Sequence, residues 1–499
     1  MSKRYLSTLF IIFFLFSYTF AVDLSMSVSD LYDYNSYVTL KKDSVIAYDS
    51  VLTKQSDYKF SVISSAIIGG YKELKNLPLT SDVLVEFKNK FSTINPAVGY
   101  YNIPDKSDFI ELLNSFNSDC IMNTLSDNEY LVNYIYNKDI TSYSAYIISK
   151  DTIVKYDNIF ADSDIDSIGV PVDSICNYYL HTNSVKLRKI VWDSLSKEIP
   201  NNNRVYYVPD GFLNNIALES LMLNDTLYLD DEYDFVRLHT TALNLFQYKD
   251  TIKLDSNSRV VLYGDIDYGK VEKEGNLCRL LRTSFEINSI GKFLKRSFKC
   301  DTILYTGTFA TKESLMQLSD SVPDILYIST HAETGKIFLA GSNDVLNGKR
   351  GNTLYTGVND AMIVLAKGAN TISNPIKTND RQTLGKGVEQ GCITVEDVEK
   401  LKLYGLDLVV ISACDSGLGE LTEDGQLGLV RAFKKAGANT VITAKWKLNE
   451  KSAMFFMTCF FEKFSNNGGD KHKAFKYAKK QTRKKYVLPE DWAPFVMDN

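Results

Sequence analysis

The sequence lacks the short motifs by which most enzyme classes are recognised. It has no G-x-S-x-G elbow, no Walker-type glycine loop, no H-E-x-x-H and no paired C-x-x-C. The aspartates of ADSDIDSIGVPVD (161–173) could gather oxygen ligands around calcium, but a solvated acidic loop is the simpler interpretation. We therefore expect no cofactor and no metal site.

Excess basic charge is also missing. The chain has 56 Lys and Arg against 61 Asp and Glu, which gives a formal net charge of −5. This balance argues against nucleic acid as a partner. One basic run, KHKAFKYAKKQTRKK (471–485), carries apolar residues at near-helical spacing, so we interpret it as the solvated face of a packed helix.

Long apolar runs are absent after residue 21. At the N-terminus, Lys3 and Arg4 precede the apolar run Leu9–Phe16, and Thr19-Phe20-Ala21 offers a cleavage site. We expect residues 1–21 to be a signal peptide and the mature protein to be exported, periplasmic or secreted, without a stable membrane span. The seven cysteines are too sparse for a disulfide scaffold, and any pairing among them stays open.

Histidine is rare, with four in the chain. One follows a predicted buried strand, while His181 and His472 lie in polar or helix-like settings that suit a solvated surface. DILYIST (324–330) runs into His331, and the apolar run Leu408–Ile411 leads to Cys414. Ligands bind beyond the carboxyl ends of strands in open α/β sheets, and a cysteine nucleophile needs a base nearby. His331 and Cys414 are therefore the candidate catalytic dyad. A packing role for the thiol and His239 as the base remain the alternatives.

The residues around Cys414 resemble the core of the CHAT peptidase family, relatives of caspases and separases. The likeness rests on Ser412-Ala413-Cys414, on Gly417-Leu418-Gly419, on the Gly425–Phe433 segment, on the strand Thr440–Ala444 and on Trp446. Further segments match in the family's order from about residue 120 to the end: LSDNEYLVNYIYN (125–137), VYYVPDGFLNNIALESL (205–221), ATKESL (310–315) and DWAPFVM (491–497).

This resemblance implies an α/β fold, namely a caspase-like αβα sandwich with a mostly parallel sheet. An extra α/β half (119–250) would precede the catalytic half (251–499), and a short helical N-terminal arm (22–118) would precede both. The implied function is that of a cysteine endopeptidase acting on protein or peptide. The backbone N–H groups of Cys414 and Ala332 would form the oxyanion hole. A non-catalytic protein-binding module is the alternative, and the arm could bind an activating protein partner.

The residues after Trp446 are the candidates for determining substrate specificity. In separases an acidic residue shortly after the corresponding tryptophan is associated with a basic P1 residue, and Glu450 occupies the matching place here, beside Asn449. A carboxylate facing a pocket would favour Arg or Lys. Alternatively, Asn449 caps a helix and Glu450 is an acid in its first turn, where the helix dipole favours it.

Overall fold

The computed structural model describes residues 118–137, 140–171, 174–239, 244–245, 248–268, 280–334, 361–366, 391–414, 416–417, 419–422 and 425–499. The predicted signal peptide and the helical arm up to residue 117 lie outside these ranges. The division of the chain at about residue 250 stays a prediction.

The first part of the described chain forms a five-stranded sheet in the order β3-β2-β1-β4-β5. Strands β1, β4 and β5 run parallel, whereas β2 and β3 are antiparallel additions at one edge. The elements are α1 (Ser118–Thr124), β1 (Glu129–Asn137), β2 (Ser142–Ile148), β3 (Ile153–Ala161), α2 (Asp162–Asp166), α3 (His181–Val191), β4 (Arg204–Val208), α4 (Leu229–Glu232) and β5 (Asp234–Arg237).

Local sequence explains where this sheet turns. After β4, the Asp210 carboxylate accepts hydrogen bonds from the N–H groups of Gly211 and Tyr136, both at 2.8 Å. Gly211 has a φ of +53°, and a Cβ there would lie 2.6 Å from the Tyr143 hydroxyl. Only glycine suits both conditions, so the Val-Pro-Asp-Gly segment serves as a tight turn against β1 and β2.

The second part forms a six-stranded sheet in the order β16-β15-β12-β8-β6-β7, parallel except for β16. A small antiparallel sheet (β11-β10-β9) and a hairpin (β13-β14) accompany it. The elements are β6 (Arg259–Ile266), α5 (Leu281–Phe298), β7 (Asp301–Gly307), α6 (Lys312–Met316), β8 (Ile325–Ser329), β9 (Ala332–Thr334), β10 (Ala361–Val364), β11 (Cys392–Thr394), α7 (Val395–Glu399), β12 (Leu408–Ser412), β13 (Gly419–Thr422), β14 (Gly425–Gly428), α8 (Leu429–Ala436), β15 (Thr440–Ala444), α9 (Glu450–Asn466), α10 (Lys471–Lys485), α11 (Pro489–Trp492) and β16 (Phe495–Asp498).

Helices cover both faces of this large sheet. Leu326, Ile328 and Val409 face one core, which α6, α7 and α8 complete. Tyr327 and Val410 face the other core, which is built with α5, α9 and α10. Each central strand is buried along its whole length, as its continuous apolar sequence predicted. The predicted fold class, a caspase-like αβα sandwich with a mostly parallel sheet, is confirmed.

The two sheets are joined at the last strand. The Arg237 guanidinium at the end of β5 binds the Asp498 carboxylate of β16, with Nε and Oδ1 2.6 Å apart, and both side chains are almost fully buried. Trp446 and Trp492, which come late in the chain, pack in the core of the first sheet together with Trp192. The first sheet therefore completes its core with residues that come after β15 of the second sheet.

Candidate active site

The strands that precede His331 and Cys414 are neighbours in the large sheet. Strands β8 and β12 are parallel, and Ser329 pairs with Ser412. The Thr330 N–H donates to the Ser412 carbonyl at 3.3 Å, which extends the pairing to the strand ends. His331 and Cys414 each follow two residues later, at equivalent positions beyond strands that lie about 4.8 Å apart. The structure thus brings the predicted dyad residues to one edge, beside each other.

This edge also contains the point where strand order reverses. From β6 the chain moves outward to β7 and then returns to β8 on the other side of β6. Crevices at such a reversal are the usual ligand sites of open α/β sheets. His331 follows β8 and therefore lies at that crevice.

The His331 backbone is fixed from both sides. Its carbonyl accepts a hydrogen bond from the Val364 N–H at 3.0 Å. The Thr330 hydroxyl donates to the Val364 carbonyl and contacts the Tyr268 hydroxyl at 3.0 Å. The Tyr268 ring lies against the imidazole, with ring centroids 5.0 Å apart. Burial raises the pKa of Tyr268 to about 12, so its hydroxyl keeps its proton. Tyr268 is a site residue that the sequence did not reveal.

The segment after Cys414 is held by buried hydrogen bonds. The Ser416 hydroxyl donates to the Ile411 carbonyl at 3.1 Å and accepts from the Ala444 N–H at 3.0 Å. The Gly417 N–H donates to the Ala444 carbonyl at 2.7 Å. A Cβ at Gly417 would lie 2.5 Å from Thr443 Oγ1, so only glycine fits this close approach. These contacts tie the residues after the thiol to strand β15.

Ala332 is placed with its N–H directed away from the small sheet. Ala332 pairs with Ile363 in the antiparallel β9-β10 ladder. Because the Val364 N–H donates to the His331 carbonyl, Ala332 and Ile363 form a non-hydrogen-bonded pair, and the N–H of such a residue points away from the partner strand. Ala332 is not among the residues with positive φ in the described chain, so its backbone accommodates a Cβ without strain.

His239, the alternative base, lies near the opposite ends of the strands from His331 and Cys414. The His239 N–H donates to the Asn499 carbonyl, and its Nδ1 lies 3.8 Å from the Asp498 carboxylate. Asp498 pairs with Val441, and Val441 pairs with Val409, which lies near the start of β12 rather than its end. Burial lowers the pKa of His239 to about 4. His239 is thus separated from the residues after β12 by about 16 Å of strand.

The other two histidines differ from each other. His181 is exposed beside Asp225, as its polar sequence setting suggested. We expected His472 to be solvated too, and that expectation is wrong: its side chain is buried and its Nε2 lies 2.8 Å from Asp234 Oδ1. The basic run therefore packs more residues against the first sheet than its apolar spacing indicated.

Glu450 and Asn449 begin helix α9. The Asn449 side chain accepts from the Lys451 N–H at 3.0 Å and so caps the helix. The Glu450 carboxylate accepts from the Arg282 N–H at 3.1 Å and lies 3.6 Å from its guanidinium. The capping alternative is present in the structure, and a role of either residue in substrate binding stays a prediction. The Trp446 indole N–H donates to the Glu490 carbonyl at 3.0 Å.

A buried carboxyl lies under this edge. Glu286 of α5 is almost fully buried and accepts a hydrogen bond from the Tyr327 hydroxyl. Burial raises its pKa to about 8, and the nearby Glu450 carboxylate acts in the same direction. No sequence signal distinguished Glu286 from an ordinary glutamate on a solvated helix face.

Other chemistry finds little support in the described residues. No group of three or more potential ligands there could hold a metal ion, and Asp164 of the acidic stretch accepts a hydrogen bond from Ala161 at the start of α2. None of the helices in the described ranges is both long and apolar enough for a membrane span. Among the cysteines whose side chains are described, Cys176, Cys300 and Cys459 are free thiols.

Two known proteins match part of this chain in sequence. Tetratricopeptide repeat protein 28 of Mus musculus is 31% identical over 108 residues, which is 21% of this chain and 4% of that protein. The Homo sapiens protein of that name is 27% identical over 135 residues, or 26% and 5%. The chain thus spans less than a tenth of the length of these relatives.

Solved structures resemble the chain only loosely. The Arg-specific cysteine proteinase gingipain R has a TM-score of 0.36 at 11% identity, covering 68% of this chain and 69% of that one. The separase in the Saccharomyces cerevisiae separase–securin complex has a TM-score of 0.45 at 10% identity, covering 88% and 37%.

The match to a family is more extensive. The model of the family described as the CHAT domain matches residues 183–498. This segment is more than half of the chain, and it includes both strands that lead to the candidate dyad and the last strand of the large sheet. The chain belongs to the CHAT domain family.

Proposed function

We propose that this protein is a cysteine endopeptidase in which Cys414 is the nucleophile and His331 the base. The observation that carries the proposal is the register of β8 and β12, which places the two residues at equivalent positions beyond neighbouring strands. A thiol becomes a strong nucleophile when an adjacent base takes its proton. His239, the alternative base, lies at the far edge of the sheet.

The proposed reaction begins with transfer of the Cys414 thiol proton to the His331 imidazole. The sulfur attacks the carbonyl carbon of the peptide, a C–S bond forms, and the carbonyl electron pair moves onto oxygen. The N–H groups of Ala332 and Cys414 then stabilise the oxyanion. On collapse the C–N bond breaks and the amine leaves with the imidazolium proton. Water hydrolyses the thioester, which releases the carboxylate and restores the thiol.

Specificity for Arg or Lys at P1 belongs to the same proposal. Glu450 lies near the buried Glu286 on the helical layer beneath the dyad, so two carboxyl groups are grouped there. Arg282 binds Glu450 and opposes part of that charge. A basic P1 side chain would compete with Arg282 for the Glu450 carboxylate, which predicts a moderate rather than absolute preference.

The test uses a thiol-directed, activity-based probe carrying a basic P1 residue. Wild type should be labelled and should cleave peptide, whereas Cys414→Ala should do neither and should keep its Tm within about 2 °C, since one small residue replaces another. Cys176→Ala is the matched control because Cys176 is likewise half-buried, and it should behave as wild type. Absence of labelling and of cleavage in reduced wild type would favour a protein-binding module instead.

We also propose export of the mature protein. Support comes from the charged, apolar and small-residue segments of the first 21 residues. N-terminal sequencing of protein recovered from outside the cytoplasm should begin at Val22. Full-length protein confined to the cytoplasm would contradict this.

A further inference from the structure

A polar cavity lies at the end of the large sheet that is opposite to the candidate dyad. It is lined by residues just before β12 and β15, by side chains of α8 and α10, and by residues of the segments 244–245 and 248–252 that precede β6. Its volume is about 80 Å³, which is room for several water molecules. Lys249 and Asn439 of its lining are exposed, so the cavity is accessible from solvent.

Two lysines that line the cavity are almost fully buried. Lys434 of α8 is 5% exposed and Lys471 of α10 is 4% exposed. The Lys434 Nζ donates to the Asn439 carbonyl at 2.6 Å, and the Lys471 Nζ donates to the Thr440 hydroxyl at 2.5 Å. Because the two acceptors belong to consecutive residues, the ammonium groups lie close together. An ammonium group carries three donors, so each lysine can donate to a further acceptor in the cavity.

The acidic groups around the two lysines are bound to other partners. They are Asp250 with Arg204, Asp407 with the Asn439 amide, Asp470 with Lys473, and Asp498 with Arg237. In the part of the chain that the structure describes, no carboxylate forms an ion pair with Lys434 or Lys471. A buried charge without a counter-ion is costly, and burial accordingly lowers the pKa of Lys434 to about 7 and the pKa of Lys471 to about 8. An anion in the cavity would remove this cost.

An asparagine adds a third polar group to the cavity. Asn244 belongs to the lining and is 7% exposed, and its side-chain oxygen has no hydrogen-bond partner among the described residues. A buried polar atom without a partner indicates that this place can accept a further polar group. An asparagine amide can turn over to present either its oxygen or its NH₂ group, so Asn244 can donate to an anion beside the lysines.

We propose that this cavity binds a tetrahedral oxyanion, such as sulfate or phosphate, between the ammonium groups of Lys434 and Lys471. Two adjacent cations match a doubly charged anion, and its oxygens can accept charge-assisted hydrogen bonds from both lysines and a hydrogen bond from Asn244. The bound ion would link the segment before β6 to the starts of β12 and β15, and it would stabilise the fold at the end remote from the dyad. The inference does not rest on the proposed peptidase function.

The first test is calorimetric titration of the full chain at about pH 6, which is below the pKa of both lysines. Sodium sulfate and sodium phosphate should each bind at one site, whereas sodium chloride at equal ionic strength should give no saturable heat. Sulfate and phosphate also stabilise proteins by exclusion from the surface, so a rise in Tm alone would not identify a site. Methyl phosphate distinguishes the source of the ion: tighter binding than that of phosphate would indicate a phosphoryl ester, and weaker binding the free ion.

Two substitutions test the lysines directly. Lys434→Met and Lys471→Met each remove one ammonium group and keep an unbranched side chain of similar length. The Kd for sulfate should rise at least about tenfold in each, which is the loss expected for a charge-assisted hydrogen bond. The rise in Tm on adding sulfate should likewise be larger in wild type than in either variant.

Lys435→Met is the matched control for general electrostatic attraction. Lys435 is the next residue on α8, and its ammonium group pairs with Glu399 at 2.8 Å at an exposed position, so its loss should leave the Kd for sulfate unchanged. Absence of saturable sulfate and phosphate binding by wild type would overturn the inference, as would equal Kd values in wild type, Lys434→Met and Lys471→Met. The wild-type titration decides the question even where a variant does not fold.

Discussion

Replacement of Arg237 by Met should destabilise the protein strongly, because it breaks the buried ion pair that joins the two sheets. Both side chains of the Arg237–Asp498 pair are at most 3% exposed. Arg237 also donates to the Ile216 carbonyl at 2.9 Å and to the Asn214 carbonyl at 2.8 Å. Removing one partner of a buried pair typically costs about 3–5 kcal/mol of unfolding free energy, since the other charge stays buried.

The structure also predicts the pH dependence of this effect. Arg237 holds the pKa of the Asp498 carboxyl well below its ordinary value, even though burial opposes this. A group with a depressed folded pKa contributes stability that is fully present above its unfolded pKa, which is about 4, and that is lost on acidification. The difference between wild type and Arg237→Met should therefore be largest near neutral pH and should shrink in acid.

Urea unfolding followed by tryptophan fluorescence is the assay. All three tryptophans are buried in the core of the first sheet, so their emission reports the part that the ion pair anchors. Lys150→Met is the matched control, because it removes a cation from an exposed pair and should leave the urea midpoint nearly unchanged. The double variant Arg237→Met/Asp498→Leu should regain part of the loss. A loss below about 1 kcal/mol in Arg237→Met, or no recovery in the double variant, would refute the reasoning.

Three further substitutions test the site. His331→Ala should abolish peptide cleavage as fully as loss of the thiol does, because base and nucleophile act as a unit; damage from His239→Ala with His331→Ala active would reverse the assignment. Glu450→Gln should lower kcat/KM about tenfold for substrates with Arg or Lys at P1 and little for those with a neutral P1, which is the loss expected for one charge-assisted pair. Glu462→Gln, an exposed change on the same helix, should alter kcat/KM for neither kind of substrate. An equal loss for all substrates in Glu450→Gln would indicate a capping role alone. Glu286→Gln should raise the free energy of unfolding at pH 8. Burial raises the pKa of Glu286 in the folded protein from 4.5 to about 8, so the unfolded state loses its proton first, and the free energy of unfolding of wild type falls between these two pH values by up to about 5 kcal/mol. A urea midpoint for Glu286→Gln no higher than that of wild type would count against this prediction.

The central strands of the large sheet could be predicted from sequence because their residues are buried on both faces. Continuous apolar runs such as Leu408–Ile411 identify such strands without knowledge of their neighbours. The approximate place of the site followed, since parallel strands present their carboxyl ends at one edge. The register of Ser329 against Ser412 could not be predicted, because it depends on pairing between segments that lie far apart in the sequence.

Residues that act through tertiary contacts escaped the sequence. Glu286 and Tyr268 have no local pattern that separates them from surface residues. Both are buried by segments distant in sequence, where Glu286 meets the Tyr327 hydroxyl and Tyr268 meets the Thr330 hydroxyl. His472 was misjudged for the same reason, since its partner Asp234 lies 238 positions away. Helix α3 ends at Val191, and a short 3-10 helix follows over Leu195–Glu198.

The contact between Arg237 and Asp498 has a consequence for how the chain reaches its native state. The two residues are 261 positions apart, and Trp492 and Val496 also belong to the core of the first sheet. During synthesis the first sheet can form its own strands early, but its core stays open until Trp492 and Val496 have left the ribosome. Such distant pairings slow folding and leave apolar surface exposed for longer. We expect newly made chains to depend on chaperones until residue 498 is in place, and fragments ending before β16 to aggregate.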